Sequence, residues 1–131
     1  ETEKLGEKIA ESLHGGEVVA LFGGMGMGKT ALTRGLVRGL GAPDGVSSPT
    51  FALVHEYHGR MVIYHFDMFR VSTWDDLYST GFFDYLDTGA VLIIEWSENI
   101  EEVLPENAVR VAIRRGKTEN ERIFEIEGIA I

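Results

Sequence analysis

The sequence contains no cysteine. That excludes disulfide staples, thiolate-held zinc, iron–sulfur clusters and a cysteine nucleophile, and it is compatible with a reducing compartment. Basic residues are scarce too. Lys and Arg number 12 against 21 Asp and Glu, a formal net charge of -9. A domain that grips nucleic acid unaided carries a clustered basic patch, so autonomous RNA or DNA binding is disfavoured. A partner that holds the RNA is not. No apolar run approaches the ~20 residues of a membrane-spanning helix. No repeat, linker or low-complexity tract divides the chain, and 131 residues suit one domain spanning 1–131. A chain of that length buries roughly two thirds of its unfolded surface, enough for a real core.

What the chain has in excess is glycine. It holds 16 in 131 residues, about 12% against a usual ~7%. Some punctuate predicted elements. Leu5, Ile9 and Leu13 recur every four residues, which predicts a helix over 3–13 closed by Gly15 and Gly16. EVVALF (17–22) is a short apolar run with the composition of a buried strand. Leu32, Leu36 and Leu40 share one face of a helix from Lys29 to Leu40, stopped by Gly41 and Pro43. Residues 51–57 and 61–66 read as strands joined by His58-Gly59-Arg60, a hairpin. Trp74 to Leu86 reads as helix interrupted near Gly81, with Ser72 or Thr73 as its cap. AVLIIEW (90–96) is the most apolar run and predicts a central strand. A short helical turn over 99–104 precedes Pro105, and 108–114 with 122–127 form a terminal hairpin. The order implies an α/β fold: a mixed sheet containing antiparallel hairpins, with helices on at least one face.

The remaining excess sits in GGMGMGKT. Gly23-x4-Gly28-Lys29-Thr30 satisfies G-x-x-x-x-G-K-[ST], between a predicted strand and a helix that opens at Lys29. The pattern has a mechanical reason. Backbone N–H groups must curl around a phosphate, and side chains obstruct that approach. The helix start adds orphan donors and partial positive charge. The candidate nucleotide contacts are therefore Gly23, Gly24, Met25, Gly26, Met27, Gly28, Lys29, Thr30 and Ala31. Lys29 reaches for the β- and γ-phosphates and Thr30 offers its hydroxyl to Mg²⁺. The motif is silent between ATP and GTP, and between hydrolase and kinase.

Such a loop needs a carboxylate at a neighbouring strand end to hold Mg²⁺. Asp67 closes VIYHF and Glu95 closes VLII. If both strands lie beside the one that feeds the loop, both acids face the γ-phosphate. The simpler division gives Asp67 to Mg²⁺ and the attacking water to Glu95, and the reverse stays open. A turn-forming Asp is the plain alternative for Asp67. Ser47-Ser48-Pro49-Thr50 has the hydroxyls of a γ-phosphate sensor, with Pro49 stiffening the approach to Thr50. A surface loop is its plain alternative. His65 shares a strand face with Asp67, as a supporting partner or as packed core. Arg70 is placed to meet phosphate or an acid. Arg114, Arg115 and Lys117 form one small basic cluster at a hairpin tip.

GGMGMGKT, SSPTF (47–51), HEYHG (55–59), YHFDMFR (64–70), GFFDYL (81–86) and IIEWSEN (93–99) occur in that order. The series resembles the small bacterial P-loop ATPases of tRNA threonylcarbamoyladenosine biosynthesis, the TsaE or YjeE family, over residues 3 to 128. The resemblance implies a P-loop NTPase-like three-layer fold and a cytoplasmic ATPase, weak alone. It would support repeated turnover of the two-subunit transferase (TsaD and TsaB proteins) that modifies adenosine 37 of tRNA. It implies ATP and Mg²⁺ as ligands, tRNA contact only through that complex, and no obligate homo-oligomer. By similarity Lys29 and Thr30 serve the phosphates, Thr50 the switch, Asp67 the metal, Glu95 the second essential acidic role, and Trp96 lies by the nucleotide. Gly24, Met27, Phe69 and Asp84 depart from the family's usual Asp, Ala, Tyr and Glu. The first two sit at variable loop positions, and Phe69 loses a hydroxyl.

Two other functions use the same loop. A small-molecule kinase needs an acceptor pocket and an Arg-bearing lid, for which 131 residues leave little room. A nucleotide-gated binding module without catalysis needs Asp67 and Glu95 to be structural.

Overall fold

The computed structural model describes residues 2–23, 28–42 and 54–129. Among them lie helices α1 (Thr2–Ala10), α2 (Lys29–Gly39), α3 (Trp74–Ser79) and α4 (Phe82–Tyr85). The strands are β1 (Val18–Phe22), β2 (Val54–His58), β3 (Val62–Asp67), β4 (Val91–Glu95), β5 (Val109–Arg115) and β6 (Arg122–Glu127). A 3-10 helix, Ser97–Val103, follows β4 and is kinked at Ile100. The sheet order is β2-β3-β4-β1-β5-β6. The four central strands run parallel, and β2 and β6 close the edges antiparallel through the two hairpins.

The layers follow from strand alternation. Val19 and Leu21 of β1 and Ile93 of β4 share one core with Ile9 of α1, Leu13 just beyond it, and Leu32 and Leu36 of α2. Val18, Ala20, Leu92 and Ile94 face the other way, onto Leu77, Phe82 and Ile100. Every residue of β4 is buried, so the apolar run 90–96 reads as it does because both faces are covered. Helices thus occupy both faces. Each fully buried Leu or Ile stabilises by about 1.5–3 kcal/mol over its exposed state.

Two devices tie the helices down. Arg60, at the tip of the β2–β3 hairpin, donates from its guanidinium to Ala10 O at 2.7 Å and to Gly39 O at 3.4 Å. It thereby satisfies carbonyls at the C-terminal ends of α1 and α2, where a cation also suits the helix dipole. Between α3 and α4 the chain breaks at Gly81 (φ 76), where the sequence placed the interruption. No helix among the described residues is long and apolar enough to cross a membrane.

Candidate functional site

Strand β1 is buried from Val18 to Leu21 and delivers Gly23 to the sheet's edge at its C-terminal end. The chain is described again at Gly28, the residue before α2. Gly28 has φ 104, a left-handed conformation that strains any side chain with a Cβ. It is therefore glycine that lets α2 begin there. Gly28, as the residue before the helix, has no side chain to cap it, and a helix start of this kind presents N–H groups and partial positive charge to an anion. Thr30 and Ala31 follow in the first turn, both half-buried. Gly24, Met25, Gly26 and Met27 lie outside the described residues, as do Ser47, Ser48, Pro49 and Thr50.

Lys29 is only 6% exposed. Its ammonium donates to Gly23 O at 2.6 Å and lies 3.6 Å from the centre of the Trp96 ring. Burial pulls its pKa below the ordinary 10.5, while the carboxylates Glu98, Glu95 and Asp67 oppose that shift. The lysine thus lies near both acids that the sequence singled out, Asp67 and Glu95, and near Glu98 as well.

Those acids come from adjacent strands. In β3 and β4, Asp67 and Glu95 are register partners, so their side chains leave the same face of the sheet. Of these two strands only β4 lies directly beside β1, and β3 is one strand further out. The two acids are therefore not equivalent. Glu95 is 4% exposed and its Oε2 lies 2.5 Å from His65 Nε2. Asp67 is half-buried, and its Oδ1 accepts the N–H of Phe69 at 2.9 Å. Asp67 thus makes the turn bond of the plain alternative while still standing beside Glu95.

Trp96 ends the strand one residue before the sequence predicts. Its φ of 60 makes it the non-glycine residue with positive φ among those described. For a bulky side chain that conformation is costly. Here it turns the indole back over Lys29 and against Phe69, with ring centres 4.8 Å apart. Phe69 keeps an aromatic contact without a hydroxyl.

Two residues of this site were not legible as functional in the sequence. Glu98 Oε2 accepts the N–H of Gly23 at 2.9 Å, joining the 3-10 helix to the start of the glycine loop. Asn99 Nδ2 donates to Met68 O at 2.7 Å and Phe69 O at 3.2 Å, holding the turn after Asp67 to the turn after Glu95. The available signal was their place in EWSEN, just beyond Glu95. Glu98 also borders a groove of about 310 Å³ between the start of α3 and the 3-10 helix.

Other candidates lie elsewhere. Arg70 is exposed in the turn after β3. Arg114, in the basic hairpin, pairs with Glu125 across the strands at 2.9 Å. No group of three His, Asp or Glu side chains is clustered for a metal among the described residues. The oxygen donors present suit Mg²⁺, which takes one or two carboxylates and keeps waters. Thr30, Asp67 and Glu95 are the residues that could hold it.

Comparison with known proteins matches the chain to one family. A family model described as "Threonylcarbamoyl adenosine biosynthesis protein TsaE" matches residues 1–124. The tRNA threonylcarbamoyladenosine biosynthesis protein TsaE of Haemophilus influenzae is 41% identical over 117 residues, covering 84% of this chain and 73% of that one. Its counterpart in Treponema pallidum is 36% identical over 114 residues, covering 87% and 84%. The crystal structure of Bacillus subtilis YdiB superposes with a TM-score of 0.71 at 29% identity, over 95% of this chain and 75% of the other.

Proposed function

The chain belongs to the TsaE family, and from that premise we propose that it is an ATPase serving tRNA threonylcarbamoyladenosine biosynthesis. It binds and hydrolyses Mg-ATP, slowly alone, to support turnover of the TsaD–TsaB transferase complex. tRNA is met only through that complex. The observation that carries the reading is the convergence of Lys29 with Glu95 and Asp67 at the ends of neighbouring strands, beside a complete G-x-x-x-x-G-K-[ST] loop.

The roles follow from chemistry. The backbone of Gly23 to Thr30 and the start of α2 hold the phosphates. Lys29 leaves the Gly23 carbonyl and the Trp96 face for phosphate oxygens, which compensate a buried ammonium better than a neutral carbonyl does. Thr30 and Asp67 hold Mg²⁺. Bound Mg²⁺ supplies neutralisation of charge on the phosphates. Glu95 orients the attacking water and accepts its proton as the new P–O bond forms and the bond to the β-phosphate oxygen breaks. Trp96 covers the nucleotide side of Lys29, and Thr50 senses the γ-phosphate.

The test measures phosphate release by the purified chain with and without purified TsaD and TsaB proteins. The expected result is weak release alone and faster release with the partners. Glu95→Gln should lower hydrolysis by about 100-fold or more while ATP still binds. Partners that neither bind nor change the rate overturn the assignment. ATP-dependent phosphorylation of a metabolite would favour a kinase instead.

A further inference from the structure

We propose that His65 is a positioning residue for Glu95: one hydrogen bond from its Nε2 fixes the carboxylate in the orientation that serves the attacking water. This rests on the ATPase reading above. His65 is fully buried and Glu95 nearly so, with Nε2 and Oε2 2.5 Å apart. Because His65 registers with Ile93, and Asp67 with Glu95, the contact runs diagonally between β3 and β4. All three polar side chains leave the face covered by α1 and α2.

The hydrogen-bond inventory fixes the direction of this contact. A carboxylate only accepts, so Nε2 donates. Among the described residues Nδ1 is buried without a hydrogen-bond partner. A hydrogen there would be a buried donor left unmade, which is expensive. The tautomer with its hydrogen on Nε2 avoids that and spends the ring's one N–H on Glu95. A hydrogen bond to one oxygen narrows the carboxylate's rotation and so helps to orient the other. Stability alone gives little reason for such a pair, since apolar side chains of similar volume fill a core as well. Its strand neighbours Ile63 and Phe66 are buried and apolar.

The test uses the full chain with TsaD and TsaB proteins. His65→Leu fills the space without a donor. His65→Gln restores an amide N–H near the Nε2 position. His65→Leu should lower kcat by about tenfold or more, with the KM for Mg-ATP and the affinity for a non-hydrolysable ATP analogue within about twofold of wild type. His65→Gln should recover most of kcat. His65→Asn, whose amide is too short, replaces the leucine variant if that one does not fold, with the same expected loss. Nitrogen-15 NMR of the histidines gives a readout without turnover: the hydrogen should sit on Nε2 of His65, and that signal should move in Glu95→Gln. A hydrogen on Nδ1, unchanged kcat in the leucine variant, or loss of analogue binding without rescue by glutamine overturns the proposal alone. A wild-type complex that releases no phosphate overturns the ATPase reading, and the proposal with it.

Discussion

Lys29 is satisfied in this structure by a neutral carbonyl and an aromatic face, with acids nearby and burial working against its charge. That is an expensive way to keep an ammonium, and it stores free energy that an anion can release. In the folded chain the pKa of Lys29 lies below 10.5. The unfolded chain therefore holds the extra proton between the folded value and 10.5, and stability rises with pH across that window. Lys29→Met removes the penalty and keeps the volume. It should raise the urea midpoint near neutral pH, and its advantage should shrink as pH approaches the unfolded value. ATP binding should be lost in the same variant. Urea titrations at several alkaline pH values, with calorimetry for the nucleotide, check both halves.

The helices show what glycine composition hides. The sequence accounts for glycines in the loop and at element ends, but not for Gly6, Gly35 or Gly39. The fold explains them. A Cβ on Gly35 would lie 2.0 Å from Glu3 O, and one on Gly6 would lie 2.5 Å from Leu32 O. Backbones of α1 and α2 touch directly, so no side chain fits between them. Alanine is the better helix former by up to ~1 kcal/mol. Gly35→Ala should nevertheless destabilise, by about 1–3 kcal/mol, because backbone must move. Thermal or urea unfolding measures it, and a stabilised variant would refute the close contact. At α3 the cap is as the sequence suggests: Thr73 Oγ1 accepts the N–H of Asp76 at 3.1 Å. Asp76 Oδ2 in turn accepts from Ser72 N at 3.1 Å. Thr73→Ala should cost about 1 kcal/mol in urea unfolding. The Ser72 backbone N–H holds the Asp76 carboxyl below its ordinary 3.8. Its contribution is therefore whole above 3.8 and fades as pH falls through the lower folded value. Element existence was legible because periodicity and glycine placement are local. Element ends were less so: Trp96 leaves β4 through a left-handed turn that no local pattern marks.

At the scale of the whole molecule, the sheet order was the part that sequence could not supply. Apolar runs show that β1 and β4 are buried, but not that β4 sits between β1 and β3. That order decides the candidate site, because it puts the strand that ends in Glu95 beside the strand that leads to Gly23 and leaves Asp67 one strand further out. Glu98 and His65 gained their meaning the same way, through neighbours distant in sequence. Charge, by contrast, was legible from the start, and the fold reinforces it. The chain has a net charge of -9, and many of its few cations are already engaged. Arg34 and Arg38 meet Glu3, Arg114 meets Glu125, and Arg60 donates to helix carbonyls. An acidic surface with its cations dispersed is a poor competitor for RNA counterions. The isolated chain should therefore fail to retain labelled tRNA in a mobility-shift assay at about 0.15 M salt, even at concentrations well above the ~10⁻⁶ M end of ordinary non-specific affinities. With TsaD and TsaB proteins added, it should co-migrate with the tRNA complex. Reversing Arg114 and Arg115 to Glu should not weaken that co-migration if the basic hairpin tip is not an RNA contact. A salt-sensitive shift by the chain alone, lost in that double variant, would instead make the hairpin a direct RNA-binding element and reverse the inference from charge.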